Sequence, residues 1–227
     1  MAEKTRALIA LMVAVLTLSA CAGQPEFTYV RDESGTTYFK VPSTFTQLNT
    51  SPIELFLSGD QPNSQAAMLR AQRVWSTAFD QAAEPSAGHL LRSQDPFVYA
   101  TVHQLTEEQR DTISLNRLRD FVLPVTKQVR DLYTQQAAAT GQTPMFSDFE
   151  LINDEILTLD DGARGVRVRF NYQIGGQVQT FDHTAILHEK GATVSVMLIG
   201  CQSVCFVRRA SEFDQIASSF KLLRLPG

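Results

Sequence analysis

The sequence predicts an α+β chain, in which strands and helices occupy separate stretches and do not alternate. Three observations carry this. In Val166 to Ile174 every even position is apolar (Val, Val, Phe, Tyr, Ile) and the odd ones are Arg, Arg, Asn and Gln. That is a strand with one face in a core. Between Thr106 and Tyr133, apolar residues recur at helical spacing behind polar caps. Finally, Ala210 to Phe220 sets Phe213, Ile216, Ala217 and Phe220 on one helical face.

Taken in order, the chain opens as a secretory signal. Lys4 and Arg6 make a basic start, weakened by Glu3, and Ala7 to Leu18 is apolar except for Thr17. As a helix this stretch reaches about 18 Å, short of the roughly 30 Å hydrocarbon core of a bilayer. It has the length of a signal h-region instead. Leu18-Ser19-Ala20-Cys21 follows, and it resembles the lipobox of bacterial lipoprotein precursors. That resemblance implies cleavage between Ala20 and Cys21, a diacylglycerol thioether on the Cys21 thiol, and usually a further acyl chain on the new amino terminus. Two or three chains anchor stably where one does not. The expected organisation is therefore a signal peptide at 1–20, a lipidated tether at 21–26 and one α+β domain at 27–227.

Beyond the tether, Phe27–Arg31 and Thr37–Val41 read as strands around the turn Asp32-Glu33-Ser34-Gly35. Residues 49–64, rich in Pro, Ser, Asn and Gly, read as a loop. Ala66 to Gln72 begins a helix, Arg73 to Asp80 a strand, and Phe97 to Leu105 another strand after a loop over Ala82 to Asp95. Thr106 and Gln109 form a capping box. Ser114 caps a helix bearing Leu115, Leu118, Phe121 and Val122, which Pro124 kinks or restarts. Val125, Val129, Leu132 and Tyr133 then mark one buried face. Phe146 to Leu159 is a strand. Gly175-Gly176 is a two-residue hairpin turn, which pairs Phe170 with Phe181, Val168 with His183 and Arg169 with Asp182.

Composition narrows the function. Removing residues 1–20 takes away Lys4, Arg6 and Glu3, which leaves 18 basic and 23 acidic side chains and a net charge of −5. A mildly acidic chain without a basic run has no electrostatic footprint for nucleic acid. After lipidation of Cys21, Cys201 and Cys205 remain in an oxidising compartment, where a short local disulfide is a better reading than two free thiols. With no third or fourth ligand nearby, C-x-x-x-C is a poor zinc site.

No catalytic, metal or phosphate-binding motif is present, so no catalytic residue, metal site or cofactor is assigned. His183 and His188 lie five apart on a strand and point to opposite faces. His183 falls on the apolar face, as a hydrogen-bonded core histidine, neutral near pH 7. Arg167 and Arg169 read as a solvated face opposite Asp182, Glu107-Glu108 as first-turn acids meeting the helix dipole, and Trp75 as core packing.

Tyr38-Phe39-Lys40-Val41-Pro42 followed by Phe45, the strand running into Gly200-Cys201, and the closing Phe213-Asp214-Gln215-Ile216-Ala217-Ser218-Ser219-Phe220 together resemble the PsbP family. Its namesake is an extrinsic subunit of photosystem II, and many lipid-anchored actinobacterial proteins look similar. The resemblance spans residues 27–223 and implies an antiparallel sheet with helices packed on it, an α/β/α sandwich. It carries no functional residue across, and the insertion between Val41 and Arg73 departs from a compact member. The expectation is a non-catalytic binding or assembly module of the cell envelope, not an enzyme, held by lipid on the outer side of a bacterial membrane, the cell membrane in preference to an outer one. It would bind a protein or small ligand, and no nucleic acid. An enzyme with a scattered active site and a passive structural component are the alternatives.

Overall fold

The computed structural model describes residues 25–159 and 162–223. The expected signal peptide at 1–20, the cleavage residue Ala20 and the lipidation residue Cys21 lie outside the described residues. Seven antiparallel strands form the main sheet, in the order β3-β4-β5-β9-β8-β7-β6. They are β3 (Thr46–Leu48), β4 (Val74–Asp80), β5 (Phe97–Gln104), β6 (Ser147–Thr158), β7 (Arg164–Ile174), β8 (Gln177–Leu187) and β9 (Thr193–Gln202). A smaller sheet joins β1 (Phe27–Arg31) and β2 (Thr37–Pro42) to β10 (Lys221–Leu222).

Because β9 pairs with β5, the segment from 105 to 146 must cross one face of the sheet to reach its far edge at β6. The chain then returns as the meander β6-β7-β8-β9. The hairpin has the register that its turn requires: Ile174 faces Gln177, Phe170 faces Phe181 and Val168 faces His183. Gly175 and Gly176 both have positive φ, +57° and +79°, which side-chain-bearing residues rarely adopt. Gly200 opposes Phe181, and a Cβ there would press to 2.8 Å from the Phe181 ring.

The two faces of the sheet have separate cores. On the helical face, Val166, Val168, Phe170, Tyr172, Phe181, Ala185 and Leu198 pack beneath Ile53, Leu90, Leu118, Leu123 and Val125. The covering helices are α1 (Ser51–Ser58), α2 (Gln65–Ala71), α3 (Glu107–Thr112), α4 (Leu115–Arg119) and α5 (Lys127–Ala139). On the opposite face, Val98, Ile186, Met197 and Ile199 meet Phe39 and Val41 of the small sheet. The same core takes in Phe206 of α6 (Ser203–Arg208) and Phe213, Ile216 and Phe220 from α7 (Ala210–Ser219) and its end.

Four features depart from the sequence reading. Residues 51–58 are helix α1, not loop, because Pro52 sits in the first turn, where its missing N–H costs nothing, and Gly59 closes the helix at φ +70°. Pro124 does not kink a helix, since α4 has already stopped at Arg119. The Asp120 carboxylate turns the chain by accepting from the Val125 and Thr126 amides, both at 2.7 Å, and from the Thr126 hydroxyl at 2.6 Å. Leu132 on α5 is half exposed, not buried; the helix packs instead through Tyr133, whose ring lies tilted 5.5 Å from that of Phe146, just before β6. Lastly, Arg167 and Arg169 do not form a solvated face, because α7 covers them.

Candidate functional site

Short elements at one corner of the helical face enclose a cleft of about 570 Å³. Its first wall is α2. Ser64 starts this helix by accepting from the Ala67 amide at 3.1 Å, yet none of its residues is buried, and Met68 and Leu69 stand half exposed. The floor is the end of β5 and the start of β4. The second wall is α3 and α4, with Phe121 and Val129 behind them. The capping box of Thr106 and Gln109 fixes the entry into α3, with Thr106 N donating to Gln109 Oε1 at 2.9 Å.

The cleft lining combines arginines with apolar side chains. Arg70, Arg73 and Arg117 face it, with Leu69, Val74, Leu105, Ile113, Phe121 and Val129 between them. Arg70 donates through Nε to Asp60 at 2.8 Å, and this hydrogen bond holds Asp60 below the ordinary carboxylate range. Among the described residues, the guanidiniums of Arg73 and Arg117 hold no hydrogen bond or ion pair. The single acid lining the cleft, Asp120, is committed to the 125–126 turn.

Behind the cleft lies a smaller hollow of about 100 Å³ that shares Arg70, His103 and Phe121. There the Tyr99 hydroxyl donates to Glu54 at 2.5 Å. Burial, then the Glu54 charge, pushes the phenol far above its usual range. His103 is pushed down to about 4, first by burial and then by the charge of Arg70, and its ring stands edge-on to Phe121 at 4.8 Å. A neutral, packed histidine and a tyrosine that stays protonated make a poor acid–base pair near pH 7. A second hollow of about 460 Å³, between α1 and the β7–β8 turn, is mostly apolar, with Arg92 as its charged residue.

The residues singled out from the sequence lie elsewhere. His183 is buried against Val168, and its Nε2–H donates to the Leu118 carbonyl at 2.8 Å. Burial lowers its pKa. The Cys201 and Cys205 sulfurs are at bonding distance, joining the end of β9 to α6 with Cα atoms 6.1 Å apart. Both sit in the second core. Arg167 and Arg169 each donate to the buried Asp182 at 2.7 Å, and each reaches Asp214 of α7 at 2.8 Å. This clasp ties α7 to the sheet. Among the described residues, no three His, Cys, Asp or Glu side chains come together as a metal site. The cleft arginines went unrecognised in the sequence; the i, i+3 spacing of Arg70 and Arg73 was the available signal, and Arg117 is remote from both.

No protein-family model matches the sequence, and no curated protein matches it. Among solved structures, the chain is similar to cyanobacterial PsbP (CyanoP) from Synechocystis sp. PCC 6803. Identity is 13%, covering 90% of this chain and 98% of that one, with a TM-score of 0.53. It is similar more loosely to LpqN, involved in cell envelope biogenesis of Mycobacterium tuberculosis, at 11% identity, 87% and 91% coverage and a TM-score of 0.46. The Saccharomyces cerevisiae Ran-binding protein Mog1p gives 9% identity, 86% and 95% coverage and a TM-score of 0.40. The likeness to CyanoP establishes a PsbP-like α+β fold, and a shared fold does not assign an activity.

Proposed function

We propose that this chain is a lipid-anchored, extracytoplasmic binding module of the bacterial envelope, non-catalytic, whose ligand enters the cleft between α2, the β4–β5 floor and α4. One observation supports binding over catalysis. Apart from His103, whose ring packs edge-on to Phe121, the buried titratable side chains are spent on internal bonds, whereas Arg73 and Arg117 in the cleft have no partners. Glu54 takes the Tyr99 hydroxyl, Asp80 takes His89 and two backbone amides, Asp182 takes two arginines, and His183 serves the Leu118 carbonyl. The anchoring half of the reading rests on the short h-region and Leu18-Ser19-Ala20-Cys21.

The test is a photo-reactive amino acid placed at Leu69 in intact cells. An adduct at this position, and none at the exposed Arg31 on the opposite face, is the expected result. Equal labelling at both positions, or none at either, refutes the cleft as the working surface. Metabolic labelling with a fatty-acid analogue tests the anchor, and a Cys21→Ala chain that still takes label removes it.

A further inference from the structure

We infer that the ligand of this cleft is a single anionic amphiphile, a phosphate- or carboxylate-headed molecule with an apolar body. The inference rests on the cleft being the binding site. It has three grounds, each independent of the fold. The full chain carries a net charge of −4, yet the cleft lining has three arginines against one acid, and that acid is already bonded to the backbone. Arg73, at the floor where β4 begins, and Arg117, on the α4 wall, both line the cleft with their donors unspent. A planar guanidinium presents parallel N–H donors that match a phosphate or carboxylate, so two of them facing one hollow select an anionic head. The third ground is apolar. Leu69 is half exposed on a helix with no buried residue, and Val74, Ile113 and Phe121 line the cleft with it. Solvent-facing apolar surface of this kind gains by covering an alkyl or aryl group. A free inorganic anion would leave it wet, and a neutral lipid would leave the arginines unpaired.

The chemistry is shared by a phospholipid drawn from the bilayer and by a soluble amphiphile, and one experiment separates the two. The processed, acylated protein is placed in phosphatidylcholine nanodiscs and titrated with octyl phosphate, octyl glucoside and inorganic phosphate. Octyl phosphate should bind at least about tenfold more tightly than either of the others, the step expected for one charge-assisted hydrogen bond. Arg73→Gln and Arg117→Gln should each weaken octyl phosphate about tenfold, while Arg31→Gln leaves it unchanged. Raised salt should weaken it as well. Octyl glucoside or phosphate binding equally well overturns the inference, as do arginine variants that bind like the parent. Replacing part of the phosphatidylcholine with phosphatidylglycerol identifies the source. Competition by the anionic discs assigns the ligand to the bilayer, and an unchanged affinity assigns it to the free pool. If photo-adducts form at Leu69 in cells while octyl phosphate fails to bind, the cleft stands and the anionic amphiphile falls.

Discussion

The two faces of the seven-stranded sheet are built on opposite plans. On the face covered by β1, β2, α6 and α7, aromatic rings interlock, with Phe39 edge-on to Phe79 at 6.2 Å and to Phe220 at 6.3 Å. The ten residues of α7 bury four side chains. Even the charges of this face are bound into the clasp of Arg167, Arg169, Asp182 and Asp214. On the other face, α2 and α3 bury nothing and α4 is five residues long. Helices that short cannot tile a sheet, so hollows remain between them, where Arg73 beyond α2 and Arg117 within α4 stay unspent. One face closes the fold; the other leaves room for a ligand.

The clasp offers the hardest way to break the closed face. Asp182 is 1% exposed, while its two arginines are 23% and 24% exposed. Asp182→Ala leaves both guanidiniums facing a buried hole. The loss should be about 3 kcal/mol, the lower end for breaking a buried pair, because water reaches part of each arginine. Urea unfolding is the measurement, and a change under 1 kcal/mol would return the arginines to a solvated role. A smaller effect on the same face should follow from the paired change Cys201→Ser and Cys205→Ser. A closed loop this short contributes about 2 kcal/mol in the chain-entropy model, and comparison of parent and variant midpoints reads it directly.

Acid should strip the two faces in different pH ranges. His103 and His183 both lie on the helical face with pKa values pushed below the usual 6.5, His103 to about 4. Between 6.5 and those lower values the unfolded chain takes up protons that the folded chain refuses. Stability is therefore fully present above about pH 6.5 and falls with acid below it, by at most about 1.4 kcal/mol per pH unit for each histidine. Water reaches part of His103, which discounts its contribution. His183→Gln should flatten this slope while lowering stability by about 1–3 kcal/mol at pH 7, since glutamine does not rebuild the bond to Leu118. On the opposite face, burial pushes Asp214 up, but the hydrogen bonds and charges of Arg169 and Arg167 outweigh it and hold it below 3.8. Its contribution persists above that value and is lost only as pH falls through its lower folded pKa. A single acid limb starting near pH 4, with no slope between 4 and 6.5, would contradict the assignment of the histidines.

Local periodicity made much of the closed sheet readable in advance. The pairs from Ile174–Gln177 to Val168–His183 follow from a two-residue turn and a strict alternation, so the burial of His183 came with them. The capping box at Thr106 was equally local. What the sequence hid was non-local or ambiguous. Asp182 and Asp214 are 32 positions apart, and nothing near Arg167 announces that α7 lies over it. Pro52 reads as a loop residue unless its place in a first helical turn is known. Leu132 fits an apolar stripe, yet it stays half exposed on α5. The cleft was hidden for the same reason as the clasp, because Arg117 reaches Arg70 and Arg73 only after the chain has crossed the sheet.

The smallest expected effect on stability is the most informative about function. Arg73 and Arg117 are exposed and without partners, so Arg73→Gln and Arg117→Gln should each shift unfolding by less than about 0.5 kcal/mol, as surface changes away from special features do. The contrast with Asp182→Ala is then sharp: charge removed from the clasp costs the fold, and charge removed from the cleft costs it nothing. A residue kept charged beside open apolar surface, at no structural return, is available to an outside ligand. If thermal unfolding instead showed either glutamine variant to be destabilised by 1.5 kcal/mol or more, that arginine would be holding the corner together. The cleft would then belong with the clasp, as architecture rather than as a place to bind.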